Sequence, residues 1–170
     1  MELKRTSGNF GDLPKIKFDG KEFLVSFFCP AMLEHIEEYI VNQAYHSCQK
    51  IKNKALKAKA ESEFFTSLQS QQFSPNGENW EKVMSSDLAQ VLVLWSCIYD
   101  NHRDFTTDDC VRLIATDQED VKIAMVQVFP DFFRVRAKLR GYSPTQMERV
   151  EVDIASKVEE IKNMVRQKMS

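Results

Sequence analysis

The sequence predicts a mainly α-helical protein, a helical bundle with one short N-terminal β-hairpin. Three observations predict it. From Leu88 to Trp95 the only polar side chain is Gln90, so a helix there has almost no solvent face and belongs at the centre of a domain. Apolar residues recur at spacings of three and four over 33–51 and again over 147–169. Gly and Pro number only five each in 170 residues, too few for a many-turned all-β chain. That length matches one ordinary domain and can bury a core without disulfide staples.

In chain order, residues 1–13 read as a flexible, polar arm without the apolar stretch of a secretory signal. Residues 14–140 read as hairpin plus helical core, and 141–170 as an amphipathic helix in the same domain or swapped between subunits. The hairpin is Lys15–Val25, turning at Asp19-Gly20. A two-residue type I′ turn needs positive φ at both positions, which Asp-Gly supplies. It pairs Ile16 with Phe23, Lys17 with Glu22 and Phe18 with Lys21. Ile16, Phe18 and Phe23 then share a face that must rest on helices, because an isolated hairpin is marginal in water.

Pro30 suits a first helical turn, and Leu33, Ile36, Ile40, Ala44, Cys48 and Ile51 carry the stripe onward. Glu34, Glu37 and Glu38 stand near its start, where the helix dipole favours acids. The stripe thins past Asn53 and resumes at Phe64, Phe65 and Leu68, so either one helix bends near 53 or two meet there. Ser74–Asn79 is a loop, Trp80 opens a short helical turn, and Ser85 or Ser86 is expected to cap the central helix. Three further starts have capping-box spacing: Thr106…Asp109, Thr116…Glu119 and Ser143…Gln146. Pro130 should break or kink the segment before it, and Gly141 should end a short helix carrying Phe132, Val135 and Leu139. The last helix repeats every 3.67 residues or so, an eleven-residue rhythm that packs nearly straight.

The formal net charge of −2 gives no global pull toward nucleic acid or anionic membrane, and no apolar run is long enough to span a bilayer. The four cysteines, Cys29, Cys48, Cys97 and Cys110, form no C-x-x-C pair, which favours a reducing compartment. His35 and His46 would share a helix face, yet about three turns, roughly 16 Å, separate them, too far for one metal ion. His46 and Cys48 point about 200° apart on a helix and form no dyad. Phosphate-cradling glycine motifs and a G-x-S-x-G elbow are missing from the sequence. These patterns predict no enzyme activity, no metal site and no cofactor.

Two basic clusters remain as candidate partner-binding residues. Lys50–Ala60 holds five lysines, including Lys50, Lys54 and Lys57, and no acid. Arg134, Arg136, Lys138 and Arg140 form the second, beside Phe129, Phe132 and Phe133. Residues 100–120 oppose them with seven acids and two arginines. Basic segments beside aromatics can bind nucleic acid, and more often are solvated helix faces. Opposed charges can also pair between subunits or with a partner.

The order of landmarks across residues 15–114 resembles a known family. These are the hairpin at Asp19-Gly20-Lys21-Glu22-Phe23, the helix Ile36-Glu-Glu-Tyr-Ile40 leading to Ala44, and the Trp-containing loop Gly77–Trp80. Then follow the leucine-rich run Ser85–Trp95, Asp100–Thr106 and Val111-Arg-Leu-Ile114. The sequence is similar to the tail assembly chaperones of long-tailed bacteriophages. The resemblance implies a non-enzymatic helper in the infected bacterial cytoplasm that coats the tape measure protein until the tail tube polymerises around it. It supplies no catalytic residues, and segment 118–170 lies outside it. Two alternatives stand beside this expectation. One is a structural virion protein, such as a tail completion or head–tail joining subunit. The other is a nucleic-acid-binding regulator using the basic patches.

Overall fold

The computed structural model describes residues 13–169, without the side chains of Met164, Val165, Lys168 and Met169. Most of the expected N-terminal arm therefore lies outside the described residues, as do the side chains of Val165 and Met169, the last two apolar positions of the C-terminal helix. Strands β1 (Lys15–Phe18) and β2 (Lys21–Leu24) pair antiparallel in the expected register. Asp19 and Gly20 take φ of +48° and +74°, the positive values a type I′ turn demands. Ile16, Phe18 and Phe23 are all buried, as alternation required.

Seven helices follow among the described residues: α1 (Pro30–Gln49), α2 (Lys54–Gln69), α3 (Glu78–Met84), α4 (Leu88–Tyr99), α5 (Thr107–Ala115), α6 (Glu119–Leu139) and α7 (Pro144–Met169). The protein is mainly α with one hairpin, as the sequence predicted. Helix α4 is the axis of the core, with every residue from Leu92 to Ile98 buried. Helices α1, α3, α5 and α6 pack around it. The one buried polar residue on α4, Ser96, donates its hydroxyl to the Val93 carbonyl at 2.9 Å, so its burial leaves no donor unpaired.

The hairpin is fastened to the C-terminal end of α4 by polar contacts. The Ser26 amide donates to the Cys97 carbonyl at 2.9 Å, and the Ser26 hydroxyl donates to Asp100 at 3.0 Å. The Leu24 amide donates to His102 Nε2 at 2.9 Å. His102 is thus the acceptor that ends β2. Beneath, Phe23 packs on both His102 and Phe105.

Several boundaries differ from expectation for local reasons. The break near 53 is real, because Asn53 caps α2 by accepting from the Ala55 and Leu56 amides at 3.0 Å each. The acids of α1 lie past its first turn, where the dipole effect has faded. Helix α3 begins at Glu78 rather than Trp80. Neither Ser85 nor Ser86 caps α4. Ser85 closes α3, the Ser86 hydroxyl donates to the Val83 carbonyl at 2.6 Å, and Asp87 precedes α4 with a helical backbone. Thr116 does not open α6 either; its hydroxyl donates back to Leu113 at 2.6 Å, and Gln118 takes the start.

Pro130 does not divide its segment. Helix α6 runs unbroken from Glu119 to Leu139, although proline removes one backbone bond and costs about 3 kcal/mol in a helix interior. Val121, Ala124, Val128, Phe132 and Ala137 form one buried stripe on both sides of Pro130, and that burial outweighs the lost bond. The helix ends where Gly141, at φ +68°, turns the chain. The Tyr142 amide donates to Ala137 at 3.2 Å and the Gly141 amide to Lys138 at 3.0 Å, the paired bonds of a Schellman stop. Ser143 and Gln146 then cap α7 reciprocally, and α7 packs back along α6 of its own chain.

Candidate functional site

Helix α7 touches α6 without closing over the rest of the bundle, and an open cleft of about 290 Å³ runs between α6, α7 and the α3–α4 junction. Its walls are apolar, with Met84, Ala89, Met125, Phe129, Phe133 and Ile161 among them. The sequence builds it through a width mismatch. Helix α6 is apolar over more than half its circumference, burying Val128 and Phe132 inward while Phe129 and Phe133 face α7 and the cleft. Helix α7 has only a narrow stripe, of which Ile154 is buried and Met147, Val150, Val158 and Ile161 are half-buried. A narrow stripe cannot cover a broad face. Two methionines on the wall add unbranched, polarisable side chains that adapt to varied apolar partners.

Two cations reach the cleft and both are engaged. The Lys157 ammonium lies 5.3 Å from the centroid of the Phe133 ring, an attraction worth about 0.5–1 kcal/mol at an exposed site. Arg136 pairs with Glu81 of α3, as does Arg140 one turn later. On the opposite side of α7, Arg134 grips Glu151 through two hydrogen bonds of 2.8 and 3.0 Å and reaches Asp131 at 3.0 Å. The Arg134 guanidinium holds the Glu151 carboxyl below its ordinary range. The second basic cluster thus fastens α6 to α3 and α7. Among Arg134, Arg136, Lys138 and Arg140, Lys138 alone has no ion-pair partner among the described residues. Phe132, expected beside it as a contact residue, is a core residue only 2% exposed and edge-on to Phe28. Phe133 is half-buried and open to the cleft.

The first basic cluster sits apart from this cleft. Helices α1 and α2 form a two-helix arm in which α2 sits mainly on α1 and joins the core through Phe64. The turn between them, with the first part of α2, carries Lys50, Lys52, Lys54, Lys57 and Lys59. Lys59 lies 3.9 Å from Glu63, while the other four have no ion pair among the described residues. The structure therefore does not bring the two basic clusters together. The acids of 100–120 are largely committed at home. Asp109 closes the α5 capping box and pairs with Arg112, Asp117 pairs with Lys122, and Asp120 accepts the Lys17 amide.

Several titratable side chains make local structural contacts. The Thr106 amide and hydroxyl together with Arg112 hold the Asp109 carboxyl down to about 2. Burial pushes the Cys110 thiol up to about 12 and raises that of Cys97 as well, disfavouring the reactive thiolate. His35 stacks edge-on to Tyr99 and His102 accepts from Leu24. Among the described residues no group of three His, Cys, Asp or Glu side chains is arranged to hold a metal ion. No helix among them is long and apolar enough to cross a membrane.

No protein-family model matches this chain, and neither a curated protein nor a solved structure matches it.

Proposed function

We propose that the protein is a non-enzymatic binding protein of phage tail assembly, holding helical, apolar segments of the tape measure protein in solution in the host cytoplasm. The observation that carries this reading is the α6–α7 cleft. It offers an apolar wall, and the cations at its edge are engaged by Glu81 and by the Phe133 ring. An amphipathic helix laid into an apolar groove is a recurrent mode of peptide recognition, and flexible methionines suit a client with many similar segments. The client itself comes from the resemblance in the first hundred or so residues. Segment 118–170, outside that resemblance, supplies the α6 and α7 walls of the groove, and Met84 and Ala89, which lie within the resemblance, complete the floor.

The test is co-expression with a phage tape measure protein. The expected result is a soluble complex that elutes as one species and is weakened when Phe129 and Phe133 are both replaced by Asp. Unchanged solubility of the tape measure protein, with no complex, refutes the reading. Finding the protein in purified virions by mass spectrometry would replace it with the structural-subunit alternative.

A further inference from the structure

We propose that the outer flank of α2 docks a partner helix that has an apolar heptad seam and acidic residues at one end. This surface is separate from the α6–α7 cleft, and the inference does not rest on the tail-assembly reading.

Helix α2 is underpacked. Of its sixteen residues only Phe64 is buried, and a helix of that length draws most of its stability from packing. Phe64 meets Tyr45 and Phe73, and the Cys48–Ala60 and Gln49–Glu61 contacts complete the seat on α1. A second line of residues runs beside that seat. Positions 54, 58, 61, 65 and 68 follow spacings of 4, 3, 4 and 3, the rhythm of a coiled-coil seam. At about 100° per residue this line centres roughly 80° around the helix from Phe64. It reads Lys54, Ala58, Glu61, Phe65 and Leu68, with Phe65 51% and Leu68 41% exposed. Glu61 is held by Gln49, so the part of this line left in water is Ala58, Phe65 and Leu68, an exposed apolar strip at heptad spacing.

The charge on the same arm fixes the neighbour's chemistry. Lys50, Lys52, Lys54 and Lys57 have no ion pair among the described residues and residues 50–60 hold no acid, whereas the three arginines of the α6 cluster, Arg134, Arg136 and Arg140, are all paired. Lys54 and Lys57 also stand in the first turns of α2, where the helix dipole opposes cations. The dipole does not favour them there, and acidic side chains on a partner would. Nucleic acid would meet the lysines and leave Phe65 and Leu68 in water. Residues 50–60 also contain no arginine or aromatic side chain to read or stack on bases. A protein helix covers both features.

The experiment uses the full chain and fluorescent three-heptad peptides with Leu at the seam positions and either Glu or Lys elsewhere, read by anisotropy. The Glu/Leu peptide should bind, more weakly as salt rises, and the Lys/Leu peptide should not. Affinity should drop at least about tenfold in the Lys54→Glu/Lys57→Glu variant and again in Phe65→Ser/Leu68→Ser. Circular dichroism checks each fold, with Lys54→Gln/Lys57→Gln as the milder substitute. Absent binding, or equal affinity for wild type and variants, overturns the proposal. So does binding of a short DNA duplex that needs the lysines and ignores Phe65 and Leu68.

Discussion

Phe132 and Phe133 are neighbours in sequence with opposite jobs, and that contrast is testable. Phe132 is 2% exposed, edge-on to Phe28 with ring centroids 5.3 Å apart, and in contact with Phe129 and Phe133. Replacing it with alanine removes a full aromatic ring from a close-packed site and leaves a cavity that α4 and α6 cannot collapse into without moving. Such truncations cost about 3–5 kcal/mol, more than most single substitutions. At about 2–4 °C per kcal/mol for a domain of this size, the melting temperature should fall by roughly 6–20 °C. Phe133→Ala takes away a half-buried ring that already faces the cleft, so little new cavity forms and the loss should stay near about 1 kcal/mol. Urea unfolding with a common slope measures both directly. If Phe133→Ala destabilises as much as Phe132→Ala, the cleft is closed in solution and Phe133 is core. The binding surface assigned to it then falls.

The Thr106–Asp109 cap gives a second prediction. Thr106→Ala should cost about 0.5–2 kcal/mol, measured by denaturant unfolding. Because the folded Asp109 carboxyl lies near 2 against an ordinary 3.8, its contribution is complete above pH 4 and is lost as pH falls toward 2. The wild-type advantage over Asp109→Asn should shrink across that window, and a pH-independent gap refutes the assignment. The thiols give a third. In the native protein Cys29, on the surface, should react with an alkylating reagent, while Cys97 and Cys110 should stay unmodified until unfolding, as mass spectrometry of the labelled peptides would show. Early labelling of Cys110 contradicts its buried place against α4.

Local chemistry was legible in the sequence wherever a few adjacent residues decide the backbone. Asp19-Gly20 set the turn and therefore the hairpin register, since φ preference acts within two residues. Thr106…Asp109 and Ser143…Gln146 set two helix starts, and Gly141 one helix end, because caps join groups three to five residues apart. The apolar stretch from Leu88 to Trp95 declared itself the centre of the core because its composition leaves almost no face for water, and the buried run in the structure is Leu92–Ile98.

What tertiary structure decided were the choices that local chemistry leaves balanced. Pro130 reads as a helix breaker, and only the burial of Val128 and Phe132 against the bundle overrides it. Thr116 and Ser86 have capping chemistry, yet their hydroxyls turn back to the carbonyls of the preceding helices. Arg134–Arg140 reads as a free basic patch until Glu81 and Glu151, distant in sequence, arrive to pair with it. Phe132 and Phe133 cannot be told apart by composition, since which of two adjacent residues faces inward depends on how α6 is rotated against α4. The α6–α7 cleft is likewise invisible in either helix by itself, because it exists only as the difference between a broad apolar face and the narrow stripe laid upon it.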